Sequence, residues 1–270
     1  MVDWSRLQTA VGDATNAPLH LEALLGPESQ RRDAAVRFLD EALHASTVWS
    51  AVPVLAVHLA SLLGDCRMDS SVRAEVLQWM YCASSDAVES QEHIAVDGAE
   101  SWGDAAEPVH AMLAARPAIY QAVAPFLTDP DSDVRTAAII AGTELLAAAD
   151  LEAERAAAQD RLLRLAAESP WRERAAIALA LGRFGAVPTM LLHDEDWGVR
   201  VCLATSHGLD DDPSMLALVM EAFRDRRRLY EHFGEEVHPT STTVQWAFVH
   251  ALRRRRPDEE PPPVAVYTAA

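Results

Sequence analysis

Lysine is missing altogether, and all 23 basic residues are arginine. That removes Schiff-base chemistry at lysine and the lysine that a phosphate-binding P-loop requires. Cysteine is scarce. Cys66, Cys82 and Cys202 are odd in number, far apart and without a C-x-x-C pair. A disulfide framework or zinc ribbon is therefore not expected, and a reducing compartment fits. Aromatics are only 6% of the chain and glycines number 11. Runs of alternating Val, Ile, Thr and Tyr are few, which leaves little to build a sheet. Long apolar runs are absent too. The longest, 48–63, is interrupted by Pro53 and His58 and is too short and polar to span a bilayer. The opening MVDWSRLQTA has no basic region followed by an apolar one, so no signal peptide is expected and the expected location is cytoplasmic. No H-E-x-x-H, G-x-S-x-G, G-x-G-x-x-G or EF-hand loop occurs.

What is present points to helix. Half of the 270 residues are apolar, chiefly Ala and Leu, and the length suffices for one large domain or two small ones. An all-α fold is expected. The 41 acidic residues give a formal charge of -18. Such a surface repels DNA, RNA and anionic lipid and favours basic partners, although acidity also serves solubility alone.

Apolar spacing predicts helices over 3–14, 19–25, 28–45, 48–63 and from 70 through Met80. Ser46 and Thr47 are candidate caps for the fourth. The segment 84–107 holds seven acids and no base. It reads as a loop, an irregular insertion or a poorly ordered helix. Pro117 is expected to separate helices over 108–115 and 118–127. Helices follow over 151–168, 172–184, from a start within 194–200 to about 209, and over 215–233. A last one starts at caps among Thr240 to Thr243, and the proline-rich 257–270 is expected to be a disordered tail.

The most informative stretch is TDPDSDVRTAAIIAGTEL, 128–145. Pro130 breaks the preceding element, Asp131 to Asp133 offer caps, and Val134, Ala137, Ala138, Ala141 and Leu145 mark one helical face. DPDSDVRTAA recurs without a gap as DEDWGVRVCL, so that Asp129, Asp131, Val134 and Arg135 match Asp194, Asp196, Val199 and Arg200. Weaker copies centre on Arg32, Arg73 and Arg174, and one near Gln245 lacks the arginine. The steps between them are 41, 62, 39, 26 and 45 residues, mostly near the length of one helical hairpin. An acidic turn followed by Val-Arg and an alanine-rich face resembles the HEAT-repeat family. Together with HASTVWSAVPVL at 44–55, the chain is similar to actinobacterial HEAT-repeat domain proteins, and distantly to bilin-lyase-type HEAT-like repeats. The resemblance covers 129–209 best, 16–80 fairly and 84–107 not at all. It implies a right-handed α-α superhelix of about five to six hairpins, one domain over 1–256. It also implies that Asp131, Arg135, Asp196, Arg200 and Arg174 are structural positions tying adjacent repeats together.

No catalytic residue, cofactor or metal is expected. The best metal candidate, Glu231, His232, Glu235, Glu236 and His238, has no standard spacing and is better read as a solvated loop. Trp171 and Trp197 stand at helix starts, where they pack between repeats or line a partner groove. The unrepeated acids Glu92, Asp97 and Glu100 are candidate partner contacts. The expected function is a non-catalytic protein-protein interaction or scaffold protein, in a sharper version an immunity-type inhibitor of a basic protein. The alternative is a HEAT-like enzyme of DNA glycosylase or bilin lyase type. The charge disfavours nucleic acid, although the runs 224–228 and 253–256 leave a local basic patch open.

Overall fold

The computed structural model describes residues 2–43, 47–148, 151–233 and 239–256. Helix accounts for 76% of it, and the chain is all-α apart from one two-residue strand pair among the described residues. None of the helices described is long and apolar enough to cross a membrane. The chain divides into two compact units, Met1–Glu152 and Ala153–Ala270, where the sequence reads as one domain over 1–256. The tail 257–270, His44 and the candidate cap Ser46 lie outside the described residues.

The first unit opens with a correction. The helix expected over 3–14 is a single 3-10 turn, Trp4–Arg6, followed by an antiparallel hairpin of β1 (Gln8–Thr9) and β2 (Gly12–Asp13). The helical spacing of Trp4, Leu7 and Val11 is coincidental, since Val11 is 60% exposed. The Thr9 hydroxyl donates to the Gly12 carbonyl at 2.9 Å, and Gly12 takes φ 138°, which a helix does not contain. Then come α1 (Ala17–Ala23), α2 (Ser29–Ala42), α3 (Ala51–Leu62), α4 (Ser70–Asp97), α5 (Ala99–Trp102), α6 (Ala106–Val123) and α7 (Ser132–Leu145). α3 packs on α6, and α4 packs on both α6 and α7. Leu55, Leu59, Leu77, Met80, Met112, Ile119, Ile139 and Leu145 fill the core.

Two more expectations for this unit change. The acidic segment 84–107 is largely helical, because α4 runs on to Asp97. Ala83, Ser84, Ala87, Ser90 and Ile94 are buried at helical spacing, a face of small residues whose apolar signal the intervening acids obscure. Pro117 does not split its helix; α6 passes through it. Met112, Arg116, Ile119, Tyr120 and Val123 are buried on either side of the proline. Burial of Met112, Ile119 and Val123 at roughly 1.5–3 kcal/mol each outweighs the ~3 kcal/mol cost of an internal proline. Arg116 also donates from Nη2 to the Glu144 carbonyl near the end of α7. Its cation thus meets the negative end of that helix dipole.

The second unit holds α8 (Glu152–Ala166), whose first residue lies at the division, α9 (Trp171–Arg183), α10 (Thr189–Leu192), α11 (Trp197–Ala204), α12 (Pro213–Arg224), α13 (Arg226–Phe233) and α14 (Pro239–Arg255). α9 packs on α11, and α12 on α11 and α14. The single helix expected over 215–233 is two. Asp225 leaves helical backbone at φ -95°, ψ 68°, and its Oδ1 accepts from the Arg228 amide at 3.0 Å. That side-chain cap starts α13.

Candidate functional site

The recurring arginines share one task. Each folds back on the turn before its own helix and donates to backbone carbonyls there. Arg32 bonds Gly26 O, and Arg73 bonds the carbonyls of Leu63, Asp65 and Met68. Arg135 bonds those of Asp129 and Pro130, Arg174 that of Ser169, and Arg200 those of Asp194 and Glu195. Three of them reach on to the turn before the next copy. Arg32 pairs with Asp69 at 3.1 Å, the Arg73 guanidinium lies 5.3 Å from the Phe126 ring centre, and Arg174 grips Asp194 with a two-pronged fork at 2.8 and 2.9 Å.

The acids are engaged at the starts of their own helices. Asp131 accepts from the amides of Asp133 and Val134, and Asp196 accepts from that of Val199. Both cap their own helices, and Asp196 also meets His232 of α13. Burial alone would raise the Asp194 carboxyl. The Arg174 fork and the Asp196 amide overcome this and hold it below the usual carboxylate range.

At the tryptophan-marked turns the structure gathers residues that are far apart in sequence. Trp171 and Trp197, each the first residue of its helix, both meet His232 of α13. The ring centres are 4.2 Å and 5.6 Å apart, and Phe233 adds an edge contact to Trp171 at 5.8 Å. His232 Nε2 donates to Asp196 Oδ1 at 3.1 Å. Arg228 stacks 4.0 Å above Trp197, and Arg172 lies 5.2 Å from the Trp171 ring centre. Both tryptophans are half-buried. The candidate groove is therefore covered by α13. Trp197 Nε1 is buried without a hydrogen-bond partner among the described residues. Of the metal candidate, Glu231 pairs with Arg227 and His232 with Asp196, while Glu235, Glu236 and His238 lie outside the described residues. Among the described residues no three His, Cys, Asp or Glu are grouped to hold a metal ion.

The acidic candidates sit in the first unit. Glu92 and Asp97 are exposed on α4 and Glu100 on α5. Trp102 Nε1 donates to Asp97 Oδ2 at 3.5 Å, and a shallow depression lined by Asp97, Ser101, Trp102 and Ala105 lies beside them. Further along α4, burial and the neighbouring Glu89 push the Asp86 carboxyl up to about 7. A second cleft, of about 470 Å³, is lined among others by Trp4, Leu21, Leu25, His58 and Arg67.

The basic end was open as a nucleic-acid patch, and two of its arginines are engaged within the chain. Arg254 and Arg255 both grip Asp210, and Arg255 also donates to the carbonyls of Ala204, Ser206 and Leu209. Its side chain is 1% exposed. A separation of 44 and 45 residues from Asp210 leaves no spacing signal by which the sequence would reveal this clamp. No family model, no curated protein and no solved structure matches the chain.

Proposed function

We propose that this chain is a non-catalytic interaction protein of HEAT-like α-solenoid type, which binds a partner protein on its helical surface. The arginine ladder supports this best: the same side chain, at the same place in five helices, buckles its own turn, and in three of them it reaches the turn before the next copy. Packing agrees with it. In the first unit α3 lies on α6 and α4 on α7, so first helices meet first helices and second helices meet second helices. Stacking of that kind is how hairpins with one apolar face bury it. The architecture that goes with this reading, as the resemblance implies, is a right-handed superhelix of about five to six hairpins.

The net charge of -18 favours a basic partner, as an immunity-type inhibitor of a basic protein would require. Glu92, Asp97 and Glu100 offer exposed charge for it. No particular observation favours the glycosylase or lyase reading. The test compares capture from a lysate of the source organism by the wild-type chain and by Glu92→Arg/Asp97→Arg/Glu100→Arg. A basic protein retained by the wild type, lost with the variant and confirmed by calorimetry between purified proteins is the expected result. If the wild type retains no protein, the reading fails.

A further inference from the structure

We propose that the turn face formed by Trp171, Asp196, Trp197 and Gly198 is a docking groove for an amphipathic helix, and that α13 is its resident, displaceable occupant. The inference rests on the interaction reading above and names the partner chemistry of one surface within the second unit.

Four observations carry it. First, the occupant is seated through residues at helix-in-groove spacing. Leu229, His232 and Phe233 stand at i, i+3 and i+4; Leu229 and Phe233 are buried, and the His232 ring contacts both tryptophans. Second, the floor is cut for close approach. A Cβ on Gly198 would lie 2.5 Å from His232 Nε2 and 2.9 Å from Phe233 Cζ. A side chain there would push the tips of both rings out of their present seats.

Third, the fit is incomplete. In the Trp197 ring, which Arg228 and His232 of α13 contact, the Nε1 donor is buried and unmet among the described residues. A buried donor without an acceptor weakens the arrangement that buries it, and a competing ligand with an oxygen at that point gains what α13 forgoes. Fourth, α13 has only eight residues and is set off from α12 by the non-helical Asp225. Its outer side chains Arg227 and Glu231 pair with each other in solvent, and beyond its seat on α11 it is tied to α12 by the half-exposed pair of Arg228 with Glu221. A helix that short is marginal without its docking contacts. The groove therefore selects a helix carrying an apolar residue at i, an imidazole or other hydrogen-bonding ring at i+3 that reaches Asp196, and an aromatic ring at i+4.

The test uses the full chain and one probe, an acetylated and amidated peptide of residues 225–233. In His232→Ala/Phe233→Ala the resident anchors are gone, and the peptide is expected to bind in a fluorescence-polarisation titration. In the wild type the tethered occupant competes at an effective concentration on the order of millimolar, so binding is expected to be at least ~10-fold weaker. Adding Gly198→Ala to the double variant should abolish binding, because the new methyl group fills the seat of His232. Equal binding to wild type and double variant overturns the proposal, as does a folded double variant that binds no peptide. Gly198→Ala alone decides the matter if the double variant does not fold. Hydrogen exchange is then expected to accelerate over 226–233 while α9 and α11 stay protected. Loss of protection throughout 153–256 would make α13 part of the core and overturn the proposal. A lysate that yields no partner sinks the interaction reading but leaves the peptide result standing.

Discussion

Arg174 is bound on both sides, with one bond to the carbonyl of the turn behind it and two to Asp194 ahead. Its side chain is 18% exposed and that of Asp194 only 8%, so water screens the pair weakly. Arg174→Ala is expected to lower stability by about 2–4 kcal/mol in denaturant unfolding, since charged hydrogen bonds are lost and a buried carboxylate is stranded. Arg174→Lys should recover little of this, because an ammonium lacks the fork that meets both carboxylate oxygens. A lysine variant as stable as the wild type would show that charge alone suffices. Asp86 supplies the opposite case, a group the fold would rather keep neutral. Its folded value of about 7 lies above the ordinary 3.8, so the stabilisation it gives is fully present below about pH 4 and is lost as the pH rises through 7. Asp86→Asn cannot ionise. The melting temperature of the variant should exceed that of the wild type at pH 8, with the gap narrowing toward pH 5. A gap that is constant with pH would mean that Asp86 titrates normally.

At the scale of the helix, Asp131 and Asp196 occupy matching cap positions with unequal duties. Asp131 serves the amides of Asp133 and Val134, whereas Asp196 serves Val199 and also receives His232 from α13. Asp131→Ala should cost about 1 kcal/mol, the ordinary worth of a cap. Asp196→Ala should cost more, by about 0.5–1.5 kcal/mol for the additional hydrogen bond. Equal losses in chemical denaturation would leave the His232 bond without energetic weight. Both caps were readable, because an acid before Val-Arg is a local signal that needs no knowledge of the fold. The long α4 was not readable beyond Met80, since its buried face there is Ala83, Ser84, Ala87 and Ser90 among acids. Small residues hardly alter the hydrophobic pattern, although they allow α7 to approach closely. Pro117 misled for the converse reason: proline is a strong local breaker, and only the buried residues around it reveal that packing prevails. The candidate groove was half legible. Trp171 and Trp197 stand out at helix starts, but their joint contact with His232 depends on α13 turning back after Asp225, which tertiary packing decides.

For the molecule as a whole, 41 acids against 23 arginines leave a repulsion that the local ion pairs do not cancel. Arginine stays protonated at any pH of interest, so only the carboxylates can relieve it. Screening should therefore stabilise the fold. At about 20 mM salt the Debye length exceeds ~20 Å and like charges across one unit repel one another, while near 0.5 M it shrinks to a few ångströms. The half-buried contacts of Arg174 with Asp194 and of Arg255 with Asp210 lose less over that range than exposed charges gain. A gain of roughly 1–2 kcal/mol, or about 2–8 °C in melting temperature for a chain of this length, is expected between those sodium chloride concentrations at pH 7.5. Sodium chloride suits the measurement because sulfate would also strengthen apolar burial. The same field should act in the reverse sense on a basic partner, whose association rate should fall steeply with salt while its dissociation rate changes little. A melting temperature that fell with added chloride would show that the arginine contacts outweigh the net charge, and the acidic surface would then be an incidental feature of the composition.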